Sequence, residues 1–337
     1  MFSQCLAALE AGGGLAPFQH LGGHLLIALD GTEYFCSRKL SCPDCSFRAR
    51  SNGKTEHFHA MVSAVLVAPG HNRALPLEPE FIRPQDGAEK QDCEARATAR
   101  WLAAHGPSYA HLRPVYLGDD LASRQPTCEA IRAIGGHFLL TAKPSTHTTL
   151  YSWLDGVEVP TLELKHKIGK RRTTHRFRWL EGVPIRDGAD ALIVNWLEIE
   201  IVDATGKVTY RNSYVTDLPV DANNVAELAA CGRARWKIEN ETFNTLKTQG
   251  YNLEHNFGHG KEHLAALLAT MNLLAFAMHT VADLVDAAWA AARKAVGTRR
   301  RFFEDLRSIT TYLVFPTWSS LVATLTTGQP PPLVFDG

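Results

Sequence analysis

Short apolar runs separated by turn-forming clusters dominate the first 144 residues, and each run has the length of a strand rather than a helix. HLLIALD, from His24 to Asp30, is apolar almost without interruption, as expected of a strand buried on both faces. HFHAMVSAVLVAP (His57 to Pro69) and ALPLEPEFI (Ala74 to Ile82) follow as a second and third strand, and turns between successive strands indicate a meander. Asp92 then caps a helix closed by Gly106. LRPVYLGDD (Leu112 to Asp120) is a fourth strand, SRQPTCEAIRAIGG a second helix stopped by glycines, and HFLLTAKP a fifth strand. The order β-β-β-α-β-α-β describes an antiparallel meander joined through helices to parallel strands.

The texture changes between Ser145 and Leu218. VPTLELKH, HRFRWLEGV, LIVNWLEIEIV and VTYRNSYVTDL alternate apolar and polar positions between Gly/Asp turns, the pattern of an inserted β-rich subdomain. Helix resumes after Asp221-Ala-Asn-Asn, and Cys231 to Gly250 reads as one amphipathic helix. At about 100° per residue, Trp236 and Phe243 form an apolar stripe flanked by Arg235, Glu239 and Leu246, while Glu241 points away into solvent. Leu264 to Trp289 is apolar enough to suggest a membrane span, but His279, Asp283 and Asp286 interrupt it, so it reads as buried helix. The expected organisation is an N-terminal remnant with no separate domain before the first strand (1–23), a core (24–144), the β-rich insertion (145–220), a helical completion of the core (221–290) and a helical tail (291–337).

Composition narrows the classes. With 337 residues, 45% hydrophobic and 21% charged, the chain can bury a large core and is not disordered. A formal net charge of zero means that a nucleic-acid partner would be held by local patches. Lys165 to Arg178, with seven Lys or Arg and no acid, is one such patch, and Arg293, Lys294 and Arg299 to Arg301 form another. Seven scattered cysteines without a signal peptide point to a reducing, cytoplasmic compartment. Within residues 36–59, Cys42-Pro-Asp-Cys45 followed by His57 and His59 has the spacing of a zinc knuckle, with Cys42, Cys45 and His57 as candidate ligands to structural zinc; free cysteines in a loop are the other reading.

Three acidic positions stand out: Asp30 closing strand one, Asp119 with Asp120 closing strand four, and Glu239 on the helix after the inserted subdomain. A carboxylate ending an apolar strand is costly to bury without a partner, so either a turn starts at Asp30-Gly31 or Asp30 serves a charge. This order of acids on this order of elements resembles the catalytic domain of DDE-type insertion-sequence transposases. In the group with a β-rich insertion, the glutamate helix carries Tyr-x2-Arg-x3-Glu-x6-Lys, commonly with Arg-Trp-x-Ile-Glu inside it. Arg235-Trp236-Lys237-Ile238-Glu239 matches that core; Gly232 stands at the tyrosine place, and the lysine, Lys247, falls one residue late.

The resemblance covers residues from about 24 to about 290 and implies a ribonuclease-H-like α/β fold: a mixed five-stranded sheet flanked by helices, with the β-rich insertion and a helical C-terminal part. It implies metal-dependent cleavage at transposon ends and strand transfer into target DNA. Two Mg²⁺ (or Mn²⁺) ions would be bridged by Asp30 and completed by Asp119 and Glu239. Asp119 follows the apolar strand directly and is preferred, with Asp120 the alternative. Arg235 would hold a phosphate of the scissile strand, Lys247 would grip end DNA, and Lys170, Arg171 and Arg172 would track the DNA backbone. The implied partners are inverted-repeat ends and target DNA, with a dimer in the synaptic complex, in the cytoplasm at the nucleoid, and with no membrane. The rival expectations are a truncated or domesticated copy that binds DNA without cutting it, and a zinc-stabilised interaction module.

Overall fold

The chain opens with a helix, α1 (Phe2–Ala11), and a two-residue strand, β1 (Gln19–His20), before the apolar run that begins at His24. In the computed structural model, which describes residues 1–51, 53–84, 92–169, 171–255, 258–260 and 262–329, that run does not turn at Asp30-Gly31. It continues to Ser37 as β2 (His24–Ser37). Beyond the short outer strand β3 (Ser46–Ala49), β4 (Thr55–Val67) pairs antiparallel with β2 from Leu26↔Val67 to Ser37↔His57. Both strands are buried on both faces over their apolar stretches, Leu25 to Ala28 and Met61 to Val67, so their backbone groups must be satisfied by neighbouring strands.

β5 (Leu75–Ile82) pairs with β4, and α2 (Glu94–Tyr109) returns the chain to β6 (Pro114–Gly118), parallel to β2. Trp101 of α2 is fully buried, lies stacked against Tyr109, and donates its indole N–H to the Glu78 carbonyl at 2.7 Å. α3 (Gln125–Ala133) then leads to β7 (His137–Thr141), parallel to β6.

The sheet does not end at five strands. After α4 (Thr148–Leu154), the strands β8 (Thr161–Ile168), β9 (Arg171–Pro184), β10 (Ile193–Asp203) and β11 (Val208–Thr216) run as an antiparallel meander, and β11 pairs with β7 from Tyr214↔Thr141 to Thr216↔Leu139. The result is one mixed sheet of eleven strands in the order β3-β4-β2-β6-β7-β11-β10-β9-β8, with β1 against β2 and β5 against β4. The physical reason is the edge of β7, whose unpaired backbone groups are covered by β11 instead of being left to solvent. α5 (Val225–Arg233) packs through Leu228 and Ala229 on β7, β9 and β10.

The stretch from Cys231 to Gly250 is not one α-helix. α5 ends at Arg233, a 3₁₀ turn covers Ala234–Trp236, a π-helical turn covers Ile238–Phe243, and α6 (Asn244–Thr248) follows. The hydrogen-bond reach changes from three to five residues within this span, so a uniform angular step does not describe it. Trp236, expected beside Phe243 in an apolar stripe, is 46% exposed while Phe243 is buried.

Two compact units result, residues 17–74 with 78–238 and residues 1–16 with 75–77 and 239–337. The second is helical: α7 (Leu264–Val285), α8 (Ala287–Val296), α9 (Arg299–Tyr312) and α10 (Trp318–Thr327), with α1 packed on α7. Among the described residues α7 is the one helix long and apolar enough to cross a membrane. Its polar interruptions are engaged in this unit: the Asp283 carboxylate accepts from the Trp289 indole at 2.8 Å and pairs with Arg299 at 3.3 Å, and Asp286 caps α8.

His279 of α7 accepts or donates at 2.8 Å with the Tyr251 hydroxyl and stacks on Trp289. Burial, reinforced by Arg299 and Arg293 and opposed by Asp283, lowers its pKa from 6.5 to about 4. The unfolded chain therefore takes up a proton between these two values that the folded chain does not, and stability is lost as pH falls through that window. Urea midpoints between pH 7 and pH 4.5 should fall more steeply for the wild type than for His279→Gln; parallel slopes would show that His279 does not carry this dependence.

Candidate active site

β2 and β6 run parallel in the register Leu25↔Pro114 to Ala28↔Leu117. Asp119 is the first residue past the end of β6, and its charge reaches Glu94, which lies against Gly31 beside Asp30, so the two aspartates belong to one neighbourhood. Arg235, on the 3₁₀ turn after α5, donates from Nη1 to Asp30 Oδ2 at 2.8 Å, and both side chains are largely withdrawn from solvent. The Gly31 amide donates to Asp30 Oδ1 at 3.0 Å.

A further carboxylate joins them. Glu94, the first residue of α2, lies over Gly31 so closely that a Cβ there would stand 2.3 Å from Glu94 Oε2. Burial raises the Glu94 carboxyl pKa, the charge of Asp119 raises it further, and the Gly31 amide and Arg235 oppose both. Sequence reasoning missed Glu94 because an acid in a first helical turn is ordinary dipole chemistry. The usable signal was Gly31 itself, a small residue inside a buried strand, which marks the close approach of another group.

The adjacent aspartates have different surroundings. Asp119 Oδ1 accepts from the amides of Leu121 and Ala122 at 2.9 and 3.2 Å, a local turn, and its charge is felt by Glu94. Asp120 is buried, and its Oδ1 accepts from the Lys143 amide and the Thr146 hydroxyl, both at 2.7 Å. Asp120 thus ties the end of β6 to the segment after β7.

A cleft of about 390 Å³ opens beside Asp119, with Lys143, Arg233 and Arg235 supplying positive charge and Tyr210 and Trp236 aromatic surface. Gly232 also lines it, and the place has no room for a larger side chain: a Cβ would lie 2.6 Å from the Tyr214 ring. Tyr214, on β11, fills the volume that a tyrosine at 232 would need.

The other expected residues are more dispersed. Glu239 belongs to the helical unit and is exposed on the π-helical turn. Lys247 pairs with Glu254 at 2.8 Å in that unit. Lys170 lies outside the described residues. Arg172 is exposed on the β8–β9 hairpin, where Arg171 pairs with Ile168 and Arg172 with Lys167. Arg176 and Arg178 of the same run are held by Glu163 and Glu198.

A second constellation lies at the far end of β2 and β4. Cys42 Sγ and Cys45 Sγ are 3.7 Å apart and lie 3.3 and 3.5 Å from His59 Nε2. His59, not His57, is therefore the partner of the cysteines. His59 pairs with Phe35, is buried, and stacks on Tyr34, whereas His57 pairs with Ser37 one pleat further out. The Cys42 amide donates to Cys45 Sγ at 3.3 Å, and burial pushes the Cys45 thiol up to about 11. These three side chains form a cluster able to hold a metal ion.

No protein-family model matches the chain, and no curated protein matches it.

Gly31→Ala should cost about 1–3 kcal/mol, the usual range for overpacking, because the new methyl must displace Glu94. In a Glu94→Ala background the same change should cost less than half as much in urea unfolding; equal costs in both backgrounds would show that the two side chains do not meet.

Proposed function

We propose that this chain is a DDE-type DNA transposase with a ribonuclease-H-like catalytic core, which hydrolyses a phosphodiester at the ends of a mobile element and joins the freed 3′-hydroxyl to target DNA. The observation that supports the reading is the gathering of Asp30 on β2, Asp119 just past the end of β6 and Glu94 over Gly31, with Arg235 against Asp30. The match at Arg235-Trp236-Lys237-Ile238-Glu239 supports it and assigns Glu239 as the third carboxylate.

The donor set suits Mg²⁺: Asp30 and Asp119 offer hard carboxylate oxygens in a partly enclosed setting, and Glu94 lies close by. When bound, two such ions stabilise charge on the attacking and the leaving oxygen of an in-line displacement. The chain's own residues do the rest. In the first step water adds to phosphorus as the 3′-oxygen leaves; in the second the 3′-hydroxyl attacks a target phosphodiester and a target 3′-oxygen leaves. Arg235, released from Asp30, presents its guanidinium to a non-bridging phosphate oxygen. Lys143 and Arg233 make the cleft attractive to the adjoining backbone, and exposed Lys165, Lys167 and Arg172 on the β8–β9 hairpin carry the contact outward along the duplex. Two ends must be handled together, which calls for a two-fold dimer in the cytoplasm, where the DNA is.

The test uses a labelled duplex carrying the inverted repeats that flank the gene. Nicking should require Mg²⁺ or Mn²⁺. It should drop by about 10³-fold or more, the scale of a lost transition-state electrostatic contact, in Asp30→Asn, Asp119→Asn and Glu239→Gln, while Glu94→Gln reports whether that carboxylate shares the load. Binding without nicking by the wild type would instead identify an inactive DNA-binding copy, and cleavage that survives Asp30→Asn would overturn the reading.

A further inference from the structure

We infer that Cys42, Cys45 and His59 bind a zinc ion that fastens the β2–β3 connection to β4, a role separate from the carboxylate site and independent of the recombination chemistry. Geometry carries the assignment. Tetrahedral zinc with Zn–S near 2.3 Å and Zn–N near 2.0–2.1 Å requires its ligand atoms to stand about 3.8 Å apart for two sulfurs and about 3.6 Å apart for sulfur and nitrogen. The three separations here are 3.7 Å for sulfur to sulfur and 3.3 and 3.5 Å for sulfur to nitrogen. One centre can therefore reach all three atoms without moving the backbone.

Hydrogen bonding alone explains the arrangement less well. A neutral imidazole nitrogen is either one donor or one acceptor, yet His59 Nε2 faces two sulfurs at once. A disulfide would need the sulfurs at about 2.05 Å. The local fold also suits a metal: Cys42 and Cys45 bracket a turn closed by the Cys45 amide to the Cys42 carbonyl at 3.0 Å, and the Cys42 amide points at Cys45 Sγ. Tyr34 and Phe35 flank the imidazole and hold its plane.

The donor set selects the ion. Two thiolates and an imidazole favour zinc over the hard Mg²⁺ of the carboxylate site, so the two metals would not compete for each other's ligands. The fourth coordination position is left for water or a further side chain. Without the ion, the connection between Ser37 and Ser46 has few apolar anchors: Leu40 is 48% exposed, and Cys45 is its buried member. The metal replaces the missing core locally.

Elemental analysis of the full chain, purified from zinc-supplemented cells, should give one zinc per chain. Cys42→Ser and His59→Gln should each lose it, and His57→Gln should keep it. Because the ligand variants can fail to fold, cobalt exchanged into the wild type provides an independent reading: tetrahedral d–d bands together with thiolate charge-transfer bands are expected. Zinc-free wild-type protein, octahedral cobalt spectra, zinc retained in His59→Gln, or zinc lost in His57→Gln would each overturn the assignment.

Discussion

Carboxylates gathered beside β2 and just past the end of β6 repel one another, and the larger unit is built to offset that repulsion. The structure answers with local charges and dipoles: the Arg235 guanidinium against Asp30, the Gly31 amide on the same carboxylate, and two amides of the following turn on Asp119. Each requires an element in a definite place. Arg235 reaches Asp30 because α5 packs against β7, β9 and β10 and then tightens into a 3₁₀ turn. Glu94 makes the balance more acute, since it adds negative charge at a point where β2 has no side chain to exclude it.

The same geometry distinguishes neighbours in the sequence. Asp119 and Asp120 are chemically identical, yet Asp120 is buried and spends its carboxylate on the Lys143 amide and the Thr146 hydroxyl. A buried carboxylate already engaged through Oδ1 is costly to redirect toward an ion. On the proposed reading, Asp120 positions Lys143 at the rim of the cleft while Asp119 faces the charge centre. Structure and chemistry are thereby divided between consecutive residues.

Much of this was legible in the sequence, for identifiable reasons. The strands at His24, His57, Leu112 and His137 announce themselves because strands buried on both faces must be nearly continuously apolar. Asp30 and Asp119 stood out because each follows such a run. The length of β2 did not: past Asp30 its sequence, GTEYFCS, is polar enough to pass for a turn, and only pairing with β4 keeps it extended. That β11 would join β7 was equally hidden, since edge pairing is decided by what else is free to pair. Helical periodicity misled at Trp236, because a 3₁₀ turn followed by a π turn keeps a chain helical while changing the angle between successive side chains. For the Cys/His cluster, spacing drew attention to Cys42 and Cys45 but pointed to His57 where the structure has His59: the two histidines share a strand face, and depth along β4 alone separates them.

The ion pair between Arg235 and Asp30 also bears on how a cluster of carboxylates is tolerated in the folded chain. A carboxylate withdrawn from solvent needs a positive partner at every stage, and an arginine four residues before Glu239 can supply it within one chain. On the proposed reading, Asp30 would be one of the residues that hold a divalent ion, which would supply the positive charge there, and the Arg235 guanidinium would then be available to a phosphate. The substitution of one cation for another keeps the local charge near balance throughout. It also explains why an arginine suits position 235 better than a lysine: its planar fork can hold Asp30 and then a phosphate with the same geometry, whereas an ammonium would bind either as a point charge.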